Sequence, residues 1–365
     1  MPSQPPRIKR RFFFAFLFVE GVIALALLVV FILLVFPLER PEPFPLTPVS
    51  YLVELTATRL ELGASLTAVH PRVTLTSTVI PTQAPRSTPT HTPSPSPTPV
   101  VPRGRIVFTC TPEEYNQLCM IDASARAYIR LTNRRNHDYY PSFSPQGDRI
   151  IFSSNQTGAF EVFLLYLADR TELQVTKEVG NATAPDLSFQ GDWIVFANKW
   201  FDDSSIWVIR PDGSQARALT DQEWNEIDPA WSPDGRRISF AGVRGGFVEL
   251  FVMDADGSHI QQITHGVSRI GGRSSWSPDG ERLVFYAGPR GDRDIYVVEI
   301  ASGKSIRLTE GGNNTGPCFS PDGNWIVFSS SRQGDYEIYI MRSDGTGVRQ
   351  LTDNDYDDWQ PSWAP

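Results

Sequence analysis

The amino-acid sequence of this 365-residue chain is poor in the residues that most often carry chemistry, with five His, three Cys and four Met. No nucleophile–base pair can be named among so few candidates, and no Gly-x-Ser-x-Gly stretch supplies an elbow serine. Three cysteines allow at most one internal disulfide. Basic charge is also scarce: outside an N-terminal tail holding Arg7, Lys9, Arg10 and Arg11, 29 Lys and Arg face 41 Asp and Glu. An acidic balance of that size argues against a nucleic-acid partner.

Long apolar runs are missing too, with one exception. Residues 12–36 form a 25-residue apolar stretch broken only by Glu20. It is long enough to span a bilayer with some tilt and exceeds the core of a cleavable signal peptide. The basic tail 1–11 precedes it, so the positive-inside rule keeps the N-terminus cytoplasmic and exports the rest. The expectation is a single-pass cell-membrane protein with an extracytoplasmic C-terminal domain. Residues 37–80 form a juxtamembrane segment in which Leu52, Leu55, Leu62, Leu66 and Val69 are spaced for a short helix. From 81 to 102, 16 of 22 residues are Pro, Thr or Ser. Such a tract cannot pack a core and favours extended polyproline conformations, which makes it a disordered linker.

The remaining chain, 103–365, repeats one unit. Asp228-Pro229-Ala230-Trp231-Ser232-Pro233-Asp234-Gly235 followed by Arg237-Ile238-Ser239-Phe240 reads as a strand, a tight turn and an alternating strand. Pro233 presets φ for the first turn position and Gly235 accepts the left-handed conformation that reverses the chain. Related copies begin at Pro141, Pro185, Ser274 and Pro317, and a last one, Pro361-Ser362-Trp363-Ala364-Pro365, closes the sequence. The strand after the turn starts at Arg105, Arg149, Trp193, Arg237, Arg282 and Trp325, a step of 43 to 45 residues. Each unit continues into an aromatic-rich third strand and a fourth strand ending in Thr. Four strands in about 44 residues is the mark of a β-propeller blade. The first unit lacks an innermost strand and the chain ends with an unpaired one. Trp359 to Pro365 is therefore expected to complete the sheet begun by Gly104 to Cys110, giving an all-β, six-bladed propeller closed by its C-terminal strand. Cys110 and Cys119 then fall on adjacent strands of one blade; an exported setting permits a bridge, and three free buried thiols are the alternative. Along the innermost strands a large side chain follows a small one, as in Ser142-Phe143 or Ala230-Trp231. Asp186 breaks that pattern, which calls for channel water or a cation beside it.

The recurring Pro-x-Trp-Ser-Pro-Asp-Gly, followed by Ile/Val-Phe, Ile-Tyr-Val-Met and Leu-Thr, resembles the repeat of TolB-type propellers of bacterial envelope proteins. The resemblance covers about residues 104–365. WD repeats are the other candidate, but their Gly-His and Trp-Asp signatures are missing. The resemblance implies a protein-binding scaffold acting outside the cytoplasm, by similarity a partner of cell-envelope lipoproteins and their complexes. The anchor and linker depart from TolB itself, which is a soluble exported protein with a small α/β domain ahead of the propeller.

In such a blade, the loops joining strands two and three and those leading to the next blade open on one face, where binding is expected. That face collects His137, Asp138, Trp200, Phe201, Trp224, Glu226, Asp228, Arg244, Arg269, Arg293, Arg332, Asp358 and Trp359. Aromatics beside charges are the composition of interfaces, and Trp200, Phe201 and Trp224 lead because large exposed aromatics need a reason. On the other face Asp234, Asp279 and Asp322 read as turn formers. Asp353 to Asp358 looks like a calcium loop but lacks the glycine and closing glutamate of an EF-hand. No cofactor is expected, calcium being the alternative, and Asp138, Asp228 and Asp358 could hold a cation at the channel mouth or cap loops. The function read from these residues is a non-catalytic module recognising an envelope protein or peptide, or a wall glycan. The competing reading is a metal-dependent hydrolase or lactonase with a divalent ion in the channel, because fold alone does not choose.

Overall fold

The computed structural model describes residues 101–365, apart from 125–126, 201–202 and 222–223 and the side chain of Trp200. The apolar run 12–36, the segment 37–80 and the Pro/Thr/Ser tract as far as residue 100 lie outside the described residues, as does Phe201. No helix among the described residues is long and apolar enough to cross a membrane.

Six antiparallel sheets of four strands each make up the domain. We number the blades along the chain, so that blade 1 contains Arg105–Cys110, Gln117–Asp122 and Tyr128–Arg130. Its innermost strand is Asp358–Ala364, which pairs antiparallel with Arg105–Cys110 from Arg105↔Ala364 to Cys110↔Asp358. The ring is thus fastened by joining the two ends of the repeat, as the pattern required. The inner strands of blades 2 to 6 are Asp138–Phe143, Asn181–Leu187, Ile227–Trp231, Ile270–Trp276 and Asn314–Phe319. Each packs on its neighbours around the channel.

Turn chemistry explains each blade locally. In blade 4 the Ser232 hydroxyl donates to Asp234 Oδ1 at 2.6 Å and accepts from the Arg237 N–H at 2.9 Å. Gly235, at φ 69°, donates its N–H to the Ser232 carbonyl at 2.9 Å. A side chain there would force the left-handed region on a non-glycine residue, at a cost of about 1 kcal/mol. The residue opening the second strand then ties one blade to the next: Arg237 donates to the Gly280 carbonyl at 2.8 Å, with its guanidinium 4.9 Å from the Trp276 ring centre.

Packing between blades supplies the core. Phe108, Phe152, Phe196, Phe240, Phe285 and Phe328 occupy one column of the second strands, and all are fully buried. Burial of each is worth roughly 2–3 kcal/mol. At the closing interface Ile106, Phe108, Trp325, Val327 and Trp363 form one cluster. A disulfide joins Cys110 to Cys119 there, with Cα atoms 5.9 Å apart, while Cys318 remains a thiol.

Candidate functional site

Every inner strand has an irregularity in its pairing with the second strand. In five blades this bulge carries a residue of positive φ directly before a proline: Tyr140 (52°), Ala184 (49°), Asp228 (51°), Gly316 (56°) and Gln360 (55°). An extra residue at a bulge re-aims its side chain, and positive φ is costly for all of these but glycine, least so for aspartate. Blade 5 departs from the rule, with Arg273-Ser274 in place of the bulge residue and proline. From blade 5, Arg273 crosses to the opposite blade and donates Nη2–H to the Pro141 carbonyl at 2.9 Å.

Above that crossing lies a cavity of about 380 Å³. Tyr140, Ala184, Asp228 and Arg273 line its inner end, Ser142, Asp186, Ser275, Cys318 and Ser362 its wall, and Pro145, Phe189, Pro233, Pro278, Pro321 and Pro365 its rim. Apart from Pro365, which follows the closing strand, the rim residues belong to the turns between first and second strands. The cavity therefore opens on the face opposite to the long loops.

Asp228 is the singular group in this cavity. Two adjacent glycines make room for it and its neighbour: a Cβ on Gly272 would collide with Asp228 Oδ2, and one on Gly271 with the Tyr286 ring. Its carboxylate makes no hydrogen bond among the described residues. Burial pushes its pKa up to about 6, against the pull of the Arg273 charge, which still leaves it mostly ionised at neutral pH. The negative field of Asp228, together with burial, holds the Tyr140 phenol well above its usual range, against the pull of Arg273. Burial first and then Asp228 push Tyr286 up to about 12. A carboxylate kept charged, short of partners and ringed by neutral phenols is an acceptor awaiting a donor.

Asp186 behaves otherwise. It accepts from the Ser142 hydroxyl at 2.8 Å and from the Trp231 N–H at 2.8 Å, so it bridges blades 2, 3 and 4 beside the Arg273 charge. Burial raises its pKa. Equivalent small residues do the same elsewhere: Ser362 Oγ accepts from the Phe143 N–H and Ser275 Oγ from the Phe319 N–H, each at 3.3 Å.

Of the thirteen residues singled out from the sequence, Asp228 alone lines this cavity. Asp138 and Asp358, fully buried, cap loops instead of facing the channel mouth; Asn136 donates to the first at 2.7 Å and Asn354 to the second at 2.8 Å. Glu226 is buried at the corresponding place in blade 4. Trp224 is half-buried rather than freely exposed, lying on Phe251 with ring centres 6.0 Å apart and covered by the Arg244 guanidinium at 3.5 Å. Arg293 stacks over Tyr286 at 5.4 Å, and Arg332 over Tyr339 at 4.6 Å while donating to Asn314 Oδ1 at 2.9 Å. Burial lowers the Arg332 pKa. Arg269 is exposed, at φ 59°. His137 stacks on Tyr139 at 5.8 Å, and Trp359 meets the same ring edge-on at 5.7 Å. Trp200 ends a second strand, its backbone opposite Asp203. His137 and Trp359 thus share one ring and Arg244 covers Trp224, while the others stand apart on different blades. Among the described residues no group of three or more His, Cys, Asp or Glu is placed to hold a metal ion. In the acidic loop, Asp357 Oδ1 accepts from the Tyr336 N–H at 2.9 Å and the Asn354 N–H donates to Glu337 at 2.6 Å.

Two features went unread in the sequence. The first is the set of Tyr140, Arg273 and Tyr286 around Asp228; aligning the residue before each repeat's proline would have exposed Tyr140 and Arg273, whereas Tyr286 stands on the second strand of blade 5. The second is a clasp behind the fourth-strand Thr that recurs in every blade. Thr264 accepts from the Leu250 N–H at 2.9 Å and donates to Glu249 at 2.5 Å; Thr309 repeats this with Asp294 and Thr352 with Glu337. In blade 1 Gln117 takes the acid's place, accepting from the Arg134 N–H at 2.8 Å.

Comparison with known proteins agrees with this architecture. The TolB beta propeller domain profile matches residues 159–275 and 267–365. A curated relative, the protein TolB homolog of Chlorobium luteolum, is 27% identical over 149 residues, 41% of this chain and 34% of that protein. The chain thus matches about a third of that relative's length. Among solved structures, TolB from Acinetobacter baumannii superposes with a TM-score of 0.65 at 23% identity, over 72% of this chain and 67% of that one. A chain of a nidogen/laminin complex gives 0.61 at 10% identity, over 72% and 98%. At such identities the structural likeness is one of fold.

Proposed function

Because the chain belongs to the TolB β-propeller family, we propose that it is a non-catalytic scaffold of the cell envelope, which binds a protein or peptide in the channel cavity. The anchor at 12–36 and the linker at 81–102 would hold the propeller outside the cytoplasmic membrane, about 60–70 Å from what precedes it if the tract is extended. One observation carries the reading: the cavity opens on a face where the prolines of the turns form its rim, with Phe189 53% exposed at its edge. An apolar rim around a polar interior is how recognition sites are built.

The test is site-specific photocrosslinking in the source cells, with the full chain carrying the probe either at Phe189 on the cavity rim or at Phe247 on the loop face, which is 66% exposed. A discrete adduct with an envelope protein from position 189, absent from 247, is the expected result. Adducts from 247 alone, or none from either, would overturn the proposal.

A further inference from the structure

The cavity has three ionisable groups that could choose a ligand by charge: Asp186, Asp228 and Arg273. Asp186 is committed, with a donor on each oxygen. Arg273 is committed in part: Nη2–H goes to the Pro141 carbonyl, while its buried Nη1 makes no hydrogen bond among the described residues. Asp228 is half-buried, makes no hydrogen bond among the described residues, and forms no ion pair with Arg273. Its backbone is set at positive φ, and the absence of side chains at Gly271 and Gly272 leaves room for its carboxylate and for the Tyr286 ring. A half-buried carboxylate without a hydrogen-bond donor is open to one that a ligand supplies.

The rest of the lining selects the partner's form. Trp231, Trp276 and Trp363 line the cavity with apolar ring surface, each under a tenth exposed. The collar of prolines is apolar and rigid, suited to enclosing an aliphatic stem. A volume of about 380 Å³ admits a long side chain with its flanking backbone but not a folded element.

Resting on the scaffold reading above, we infer that the cavity recognises a basic side chain, Lys or Arg, presented on an extended segment of the partner protein. The ammonium or guanidinium reaches Asp228 and the methylenes lie within the proline collar.

The experiment uses the full-length protein in detergent and a phage-displayed library of random dodecapeptides. Peptides retained by the wild type carry a Lys or Arg flanked by small or apolar residues, and photoprobe at position 189 labels them. Asparagine tolerates positive φ as well as aspartate does, so Asp228→Asn keeps the fold while removing the charge. It weakens the best peptide roughly ten- to hundredfold, the range for a hydrogen bond to a charged group. Replacing the peptide's basic residue by norleucine costs a similar factor on the wild type and little more on Asp228→Asn, because the two changes remove one interaction. Retained peptides without a basic residue, peptides led by acidic groups, or additive losses in that cycle would each overturn the inference while leaving the scaffold reading intact if label still appears at 189. Absence of any retained peptide would bring down both.

Discussion

Replacing Asp358 by asparagine should remove a pH dependence of stability. Asp358 opens the strand that closes the ring, is fully buried, and receives one hydrogen bond, from Asn354 at 2.8 Å. Its second oxygen has no partner among the described residues. Burial, reinforced by the negative charge of nearby Glu337, pushes its pKa up to about 8. An unfolded aspartate titrates near 3.9. Between those values the folded chain keeps a proton that the unfolded chain has released, so stability falls as pH rises, by up to about 1.4 kcal/mol per unit. From pH 5 to pH 8 the loss comes to about 4 kcal/mol. Asparagine has the shape of the neutral acid and does not titrate, so the variant should gain on the wild type by that amount across the window. Guanidinium unfolding of both proteins in the same detergent at pH 5, 6.5 and 8 reads it directly. If the difference in unfolding free energy stays flat to within about 1 kcal/mol, Asp358 is ionised in the fold and the reasoning is wrong.

Two further outcomes follow from the contacts. Thr264→Val strands the Leu250 N–H and the Glu249 carboxylate behind blade 4, and should cost about 1–3 kcal/mol, which Thr264→Ser should largely restore; equal unfolding midpoints for Val and Ser variants would dispose of the clasp. Joint replacement of Cys110 and Cys119 by alanine opens a crosslink between residues nine apart. It should lower stability by about 2–3 kcal/mol, whereas a variant as stable as the wild type would mean that the bridge does not form in solution.

The fold was legible because its instructions are local and repeated. Pro233, Asp234 and Gly235 specify a turn without reference to anything distant, the alternation of Arg237 to Phe240 specifies a half-buried strand, and six near-copies at one spacing leave little but a propeller. Closure was legible as arithmetic, since a blade short of one strand and a strand short of a blade can only pair with each other. The disulfide was half-legible: the strand spacing brings Cys110 and Cys119 together, but nothing in the sequence distinguishes a bond from two thiols.

The site resisted for the opposite reason. Trp224 reads as exposed because the residues that cover it, Arg244 and Phe251, stand 20 and 27 positions further along and reach it only across a hairpin. Asp138, Asp228 and Asp358 look alike in the sequence, each near the start of an inner strand. Asp228 differs because it occupies the bulge, directly before the repeat's proline where the other two stand three residues before theirs, and the bulge turns its side chain into the channel. Turn signals repeat and can be averaged over blades, whereas the bulge column, Tyr140, Ala184, Asp228, Arg273, Gly316 and Gln360, has a different chemistry in each. That variety is what a binding site made by a ring of repeats requires. Identical residues at six positions would give the channel one property all round, and only departures from the repeat, an acid here and a glycine pair there, can distinguish one ligand from another. The blade motif carries the architecture, and the positions where it fails to repeat carry the recognition.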